Sequence, residues 1–259
     1  MATDRNVQVY FSFLDKEMKY EVLNQMVQGN KRQAIRYTTT IKKVEGWFDT
    51  HYVITRTPQV LSPIVDNPYM EAIMLTSSLW DELKLSINRD GEIKKIVNLQ
   101  AIQDYWTTVL KFKLLQMYTG TCILGLVAQL EQVLMNEELF RAKINQDSFF
   151  YYWIKYNIGE YIKNYNTGKY TKVGKANQQY QIEQTEKGRT IQGKGKKTAA
   201  ELDEIKRKWK LNIEEELDYE EQCDSVYDCN QALVQLVQKE RYTQGSSVLY
   251  ESTITIIKV

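Results

Sequence analysis

Histidine, cysteine, proline and glycine are all scarce in this chain of 259 residues, which has one, three, three and twelve of them, respectively. A Ser-His-Asp or Cys-His catalytic arrangement would have to use the single histidine, His51. A metal site built from several histidines is excluded. The local alternation predicts that His51 lies on a strand, on the face opposite Tyr52 and Ile54 and towards solvent. We therefore assign no catalytic residue, no metal ligand and no cofactor.

The three cysteines, Cys122, Cys223 and Cys229, are too few for a disulfide framework, and their number is odd. Such a low count is typical of proteins in a reducing compartment. Cys223 and Cys229 are six positions apart in the stretch CDSVYDC, whereas zinc-binding cysteines usually have two to four residues between them. We interpret this pair as small residues that flank a turn.

Long apolar runs and a large charge of one sign are also absent. The longest apolar run, from Cys122 to Ala128, is far shorter than the about 20 residues that a membrane-spanning helix needs. The N-terminus, MATDRNVQVYF, lacks the charged and then apolar segments of a secretory leader. The net charge of +1 gives no general attraction to nucleic acid or anionic lipid. We expect a soluble, cytoplasmic protein without a membrane span, unless a leader has been removed.

Glycine-rich nucleotide-binding motifs are missing, because neither GxGxxG nor GxxxxGK[ST] occurs. The basic stretch 193–197, GKGKK, resembles a phosphate loop only in composition. The residues that follow, 198–201, are compatible with the start of a short helix, which leaves anion binding as an alternative. We favour a flexible, solvated loop.

The N-terminal part of the chain, about 7–57, alternates between apolar and polar residues. A period of two with aromatic and β-branched side chains predicts strands that bury one face. Turns are predicted at 28–31 and 44–46. The alternating positions are Val7, Val9, Phe11, Phe13, Met18, Tyr20, Val22, Ile35, Tyr37, Thr39, Ile41, Tyr52 and Ile54.

The middle of the chain, about 68–165, is predicted to be helical. Asn67 followed by Pro68 is typical of a helix start. An unbroken helix over 99–140 would be about 63 Å long, longer than the roughly 47 Å diameter of a compact chain of this size. We therefore expect a break near 119–121. A last helix is predicted from about Asp147 to the Asn-Thr-Gly stretch at 166–168.

A β-hairpin over about 83–97 interrupts the helical part, with its turn in the stretch SINRDGEIKKIVN. The returning strand is predicted to place Ile93, Lys95 and Val97 on one face and Ile96 on the other. Asn98 is predicted to cap the following helix with its side chain.

The C-terminal part, about 170–258, is predicted to return to strands. The stretch 209–219 alternates and places Glu215 in phase with its apolar neighbours Ile213 and Leu217, so we predict a strand with an inward carboxylate. The Glu-rich composition also suits a helix, and 201–242 remains open between helix and strand. A final strand is predicted from Val248 to Ile256.

The order of strands, helices and strands predicts an α+β fold in a single domain, 1–259. Both ends of the chain are expected to form one curved antiparallel β-sheet, with the central helices packed on one face. This arrangement loosely resembles curved-sheet lipid carriers in its architecture, and no motif supports membership of a family. A groove between the layers would follow from it.

The segment 149–170 is unusually aromatic, with lysines interspersed. A helix buries only one stripe, so some of these rings are expected to face a ligand or partner. Core packing with ordinary amphipathic tyrosines is the alternative explanation. The candidate binding residues are Tyr151, Tyr152, Trp153, Lys155, Tyr156 and, from the inward carboxylate, Glu215.

The favoured function is a non-enzymatic binding protein that recognises a protein partner or an apolar ligand through an aromatic-rich groove or surface. The protein partners considered are a toxin that this chain neutralises, an assembly that it joins, and a second copy in a homo-oligomer. The first alternative is a nucleic-acid-binding protein that uses the basic segment 169–197, although the net charge of +1 argues against it. The second is a hydrolase-type enzyme that uses a buried carboxylate such as Glu215.

Overall fold

The structure, a computed structural model, describes residues 17–45, 50–63, 67–88, 92–157, 161–163, 170–172, 178–185, 188–211, 215–228 and 232–259. The strand predicted over 7–13 and the tip of the hairpin at 89–91 lie outside these residues.

Thirteen strands are found in the described residues. They are β1 Glu17–Gln28, β2 Lys31–Glu45, β3 Thr50–Arg56, β4 Val60–Ser62, β5 Glu82–Ile87, β6 Ile93–Ile96, β7 Tyr161–Lys163, β8 Tyr170–Lys172, β9 Gln178–Thr185, β10 Gly188–Gly195, β11 Leu217–Asp228, β12 Leu233–Gln244 and β13 Ser247–Lys258.

The helices of the described residues lie mainly in the middle of the chain. They are α1 Pro68–Thr76, a 3₁₀-helix Ser77–Trp80, α2 Leu99–Tyr105, a π-helical turn Trp106–Leu110, α3 Lys111–Met117, α4 Thr121–Leu134, α5 Glu137–Gln146, α6 Ser148–Asn157 and α7 Ala199–Trp209. None of them has both the length and the apolar composition needed to cross a membrane.

The strands form an antiparallel sheet with the hydrogen-bonded order β6-β5-β3-β2-β1-β13-β12-β11-β10-β9-β8-β7, and β4 pairs with β2. Strands from both ends of the chain therefore meet in the sheet, because β1 lies next to β13. The predicted α+β class, with an antiparallel sheet from both terminal parts and helices in the middle, is confirmed.

Contacts divide the chain into two compact units. The helical unit comprises 15–22, 35–154 and residue 259, and the strand unit comprises 1–14, 23–34 and 155–258. The long strands β1 and β2 contribute residues to both. The prediction of a single domain stays a prediction.

In the helical unit, one face of the strands is buried against helix α6. The rings of Tyr20 and Phe149 lie 6.3 Å apart, and those of Tyr52 and Trp153 lie 5.9 Å apart. Burying each such side chain contributes about 1.5–3 kcal/mol. The period of two predicted for these strands is confirmed by their buried residues, Met18, Tyr20, Val22, Tyr37, Thr39, Ile41, Tyr52 and Ile54.

A buried ion pair ties the end of β3 to the start of α6. The Arg56 guanidinium donates two hydrogen bonds to the Asp147 carboxylate, at 2.7 and 2.9 Å. The Arg56 side chain is 1% exposed and lies against the rings of Tyr37 and Phe150, at 4.9 and 4.3 Å. Asp147 also accepts from the Phe150 backbone N–H, so one carboxylate caps the helix and neutralises the cation. Burial is the main cause that raises the pKa of the Tyr37 hydroxyl, which therefore stays neutral.

The helix over 99–117 is continuous through α2, the π-helical turn and α3. Its fully buried positions recur at every fourth residue. In a regular α-helix, residues four positions apart differ in direction by about 40° around the axis. The π-helical turn at Trp106–Leu110 has more residues per turn. It therefore offsets this rotation and keeps the buried residues on one side of the helix. They are Ile102, Trp106, Leu110 and Leu114.

Two predicted helix boundaries are confirmed. The side chain of Asn67 accepts from the Tyr69 backbone N–H at the start of α1. The predicted break near 119–121 falls between α3 and α4, where Gly120 has a φ of 111°. That conformation favours glycine because it has no Cβ.

The last central helix is shorter than predicted. It ends at Asn157, and Tyr161–Lys163 forms strand β7, which pairs with β8. The predicted helix through 165 is therefore wrong over these residues. The aromatic spacing after 157 suits a helix as well as it suits a strand, and the pairing partner decides between them.

The hairpin over 83–97 is confirmed by the antiparallel pairing of β5 and β6. Its predicted faces are wrong, because Ile93 and Ile96 are both buried whereas Val97 is exposed. The pairing shifts after Ser86, and this irregularity changes the alternation.

Asn98 does stand immediately before α2, but its side chain makes no capping hydrogen bond there. It accepts from the Lys84 N–H and donates to the Glu82 carbonyl, each at 2.9 Å. The Asn98 side chain therefore stabilises the hairpin instead of capping the helix.

Candidate functional site

Four aromatic residues of the strand unit form what we call the tyrosine cluster: Trp209, Tyr219, Tyr242 and Tyr250. The sheet register pairs Tyr219 of β11 with Tyr242 of β12, and Tyr242 with Tyr250 of β13. The Tyr219 and Tyr242 rings are 4.8 Å apart, and the Trp209 ring at the end of α7 lies 5.1 Å from Tyr242. Cross-strand aromatic pairs of this kind stabilise a sheet by about 0.2–1 kcal/mol each.

Helix α7 brings Trp209 to the cluster. It begins with a capping box, in which the Glu201 N–H donates to the Thr198 hydroxyl and the Glu201 carboxylate accepts from the Thr198 N–H. A helix start at 198–201, which the sequence left open beside the favoured solvated loop, is therefore present. Because the chain's own carboxylate already occupies the first turn, anion binding at that helix terminus is disfavoured.

Two glutamates lie directly opposite each other beside the cluster, Glu221 on β11 and Glu240 on β12. Like charges at such positions repel. Glu221 accepts hydrogen bonds from the Gln238 amide at 2.9 Å and from the Tyr219 hydroxyl at 3.2 Å. These donors stabilise the carboxylate in its half-buried position.

The hydroxyls of Tyr219 and Tyr242 stay protonated. Burial, and then the charges of Glu240 and Glu221, raise the pKa of Tyr219 far above its usual value. Burial and Glu240 likewise raise the pKa of Tyr242. Both hydroxyls therefore keep their protons at physiological pH, and that of Tyr219 donates to Glu221.

A cavity of about 270 Å³ opens where β10 ends at Gly195 and leaves β11. The register of the sheet places its cations Lys194, Lys239 and Arg241 on the face opposite to that of the tyrosine cluster. Four cations and two carboxylates line it, together with Tyr219. A further cation, the Lys197 ammonium, lies 4.5 Å from the centre of the Tyr219 ring. The lining residues are Lys194, Gly195, Lys196, Tyr219, Glu220, Glu221, Gln222, Lys239 and Arg241.

The cations on β12 are held by an acid on the neighbouring strand. Glu251 of β13 lies 3.2 Å from the Lys239 ammonium and 3.7 Å from Arg241 Nε. Both cationic side chains stay partly exposed, at 45% and 39%. They are therefore positioned by the sheet and remain accessible to a ligand.

The absence of a side chain at Gly195 leaves space for that of Glu221, since a Cβ atom at Gly195 would collide with the Glu221 carboxylate. We expect Gly195→Ala to displace that carboxylate and break its hydrogen bonds, at a cost of about 1–2 kcal/mol in the free energy of unfolding. Urea unfolding would measure it. In a Glu221→Ala background the same substitution should cost less than half as much, and equal costs in both backgrounds would contradict this explanation.

The predicted aromatic residues of α6 lie mostly in the core. Tyr152 is 8% exposed and Trp153 is 0% exposed, so these two do not present the surface that the surplus of rings predicted. Tyr151 is half-buried, with its ring 4.9 Å from that of Tyr152. The side chains of Lys155 and Tyr156 lie outside the described residues.

Glu215 is exposed, and the predicted strand over 209–219 is wrong in its first part. Residues up to Trp209 belong to α7, and β11 begins only at Leu217. The capping box and the basic last turn of α7 favour the helix there more than the period of two favours a strand. Glu215 therefore lacks the inward position that its proposed role required.

The remaining predicted features are dispersed. Gly193 and Gly195 belong to strand β10 instead of a flexible loop. Cys223 is buried, and Cys229 lies outside the described residues. His51 is half-buried on β3, in register with Ser86. Within the described ranges, no group of three or more Cys, His, Asp and Glu side chains is arranged to hold a metal ion.

Sequence reasoning missed the tyrosine cluster as a unit. Tyr219 and Tyr250 were each assigned to alternating strands, but alternation alone does not give the register between strands. The pairing of Tyr242 with Tyr250 follows from the tight turn before β13, where Gly245 has a φ of 57°, together with a shift of register between Tyr242 and Thr243.

Comparisons with known proteins give no family. No protein-family model and no curated protein matches the chain. Among solved structures, the chain is similar to the crystal structure of a DUF1329 family protein from Desulfovibrio piger, at 7% identity over 94% of this chain and 84% of that chain. The TM-score is 0.23, and a likeness at that level carries no argument.

Proposed function

We propose that this protein is a non-enzymatic binding protein, and that the cationic cavity at the end of β10 recognises an acidic segment of a protein partner. The observation that carries this proposal is the lining of the cavity, which has four cations against two carboxylates, with a third carboxylate, Glu251, paired with Lys239 and Arg241. An excess of cations attracts an anionic group.

The size of the cavity supports a side chain as its occupant. At about 270 Å³ it is slightly below the range of about 300–1,000 Å³ that is typical of small-molecule sites. One acidic side chain with its flanking backbone fits this volume. Arg241 can also grip a carboxylate through two parallel hydrogen bonds.

The surrounding residues are of the kinds that dominate the energetics of protein interfaces. Tryptophan, tyrosine and arginine are enriched at interface hot spots. Tyr219 and Arg241 are among the residues that line the cavity.

Charge reversal in the cavity tests the proposal. We expect the double substitution Lys194→Glu and Lys196→Glu to weaken binding of a fluorescent hexaglutamate peptide at least tenfold, which corresponds to about 1.4 kcal/mol or more. Fluorescence anisotropy at low salt measures this. Hexaglutamine and hexalysine peptides serve as matched probes, and Lys208→Glu on α7, outside the cavity, is the control variant.

Two results would count against the proposal. Equal binding of hexaglutamate by the wild type and the Lys194→Glu, Lys196→Glu variant would show that the cavity does not bind acidic segments. Tighter binding of an oligo-dT strand than of hexaglutamate, with a steep decrease as salt rises, would instead favour the nucleic-acid alternative through the same lysines.

A further inference from the structure

The helix over 99–117 has an exposed apolar side that nothing in the described structure covers. The buried residues recur at every fourth position. The residues two and three positions after each of them form a ridge on the opposite side of the helix. Tyr105, Val109 and Phe112 lie on this ridge and are 40%, 48% and 58% exposed. Isolated exposed apolar side chains are ordinary, but three neighbours on one ridge indicate an interaction surface.

Two residues of opposite charge flank these apolar side chains on the ridge. Asp104 precedes Tyr105 and Lys113 follows Phe112, and both side chains are exposed. The exposed Met117 lies beyond Lys113. Asp104 and Lys113 are each 4.5 positions from the midpoint between Thr108 and Val109, which is about 7 Å along the axis at 1.5 Å per residue. From Asp104 to Lys113, the ridge is therefore first acidic, then apolar and then basic.

This order is self-complementary under a two-fold rotation. An antiparallel copy centred on the same midpoint places Asp104 level with Lys113 of the second copy. It also places Tyr105 level with Phe112 of the second copy, and Thr108 level with Val109 of the second copy. A parallel copy would instead place each charge against its like. Interfaces with two-fold symmetry are built from one surface patch that pairs with itself in this way.

We infer that the ridge of helix 99–117 binds a second copy of this chain, antiparallel and about a two-fold axis near Thr108 and Val109. Apolar contact at the centre supplies affinity, and the two Asp104–Lys113 pairs at the rim set the orientation. The interface uses only residues of the helical unit and none of the residues that line the cationic cavity.

A charge swap tests the inferred orientation. By sedimentation velocity over a range of concentrations, we expect a wild-type dimer whose Kd rises about tenfold in Asp104→Lys and in Lys113→Asp, because each variant places like charges together. The double variant Asp104→Lys, Lys113→Asp should recover the wild-type Kd to within about threefold. A double variant no tighter than the singles would overturn the antiparallel pairing.

The apolar centre is tested separately. Phe112→Asp should abolish dimerisation while leaving the thermal unfolding midpoint close to that of the wild type, because Phe112 is 58% exposed. Lys143→Asp, at an exposed position on α5, is the matched control. A wild type that stays monomeric at about 0.5 mM, or a Phe112→Asp variant that still dimerises, would overturn the inference.

Cross-linking locates the axis. In a Cys122→Ser background, Thr108→Cys should form a disulfide-linked dimer on mild oxidation, since equivalent residues near a two-fold axis approach each other. Gln116→Cys should not, because its two copies would be about 22 Å apart along the helices. Equal cross-linking at both positions would contradict the placement of the axis.

Discussion

Replacing Asp147 with alanine is expected to lower the free energy of unfolding by about 3–5 kcal/mol, the usual cost of removing one partner from a buried ion pair. Arg56 is the reason, because its side chain is 1% exposed and makes two hydrogen bonds to Asp147. In the variant, the guanidinium stays charged between aromatic rings and loses its hydrogen-bonded carboxylate, so that only the charge of Asp81 still acts on it. Helix α6 also loses its capping acceptor. Urea unfolding followed by tryptophan fluorescence would measure the loss.

The double variant Arg56→Met, Asp147→Leu separates the buried charge from the packing. Replacement of a whole buried ion pair by apolar residues is often close to neutral, so this variant should be much more stable than Asp147→Ala. Glu45→Gln serves as the control, since it alters an ion pair whose carboxylate is 71% exposed. A loss under about 1 kcal/mol in Asp147→Ala would contradict the account.

The second large effect is expected for Trp153→Ala. The Trp153 side chain is 0% exposed, and its ring lies 5.9 Å from Tyr52 and 6.4 Å from Phe149. Truncating such a residue leaves a cavity and typically costs about 3–5 kcal/mol. Thermal and urea unfolding would measure this loss, with Tyr151→Ala, half-buried on the same helix, expected to cost clearly less.

Trp153 also distinguishes a packing role from a binding role. If it acts only in the core, a milder variant such as Trp153→Phe should keep the hexaglutamate affinity of the wild type. A loss of affinity in a variant that remains folded would instead indicate that the aromatic segment of α6 belongs to the binding site.

Local patterns in the sequence predicted the elements of the fold well. The period of two located Tyr20, Tyr37 and Tyr52 on the buried face, because a strand exposes and buries alternate side chains whatever its partner is. The helix start at Asn67 and the break at Gly120 followed from backbone chemistry that depends on one or two residues.

Properties that depend on distant parts of the chain were not predictable in this way. The excess of aromatic residues in α6 suggested a surface, yet Tyr152 and Trp153 are buried. The sequence does not show how much apolar area the facing strands offer. Glu215 illustrates the same limit, since the helix ending at Trp209 shifts the start of the next strand.

The tyrosine cluster and the cavity required the register of three strands. Tyr219, Tyr242 and Tyr250 are far apart in sequence, or separated by a turn and a shift of register that together fix their pairing. A one-residue change in that register would turn the side chains to the opposite face. Candidate sites formed across strands are therefore the least accessible to reasoning from sequence alone.

The neighbouring positions of β1 and β13 have a consequence for biosynthesis. Strand β1 ends at Gln28, whereas its partner begins at Ser247, so the ribosome must add over two hundred residues before the two can pair. At about 5–20 residues per second, this takes roughly 10–45 s. During that time one edge of β1 is open to wrong partners, so a nascent chain stalled shortly before Ser247 should bind chaperones more strongly than a completed one.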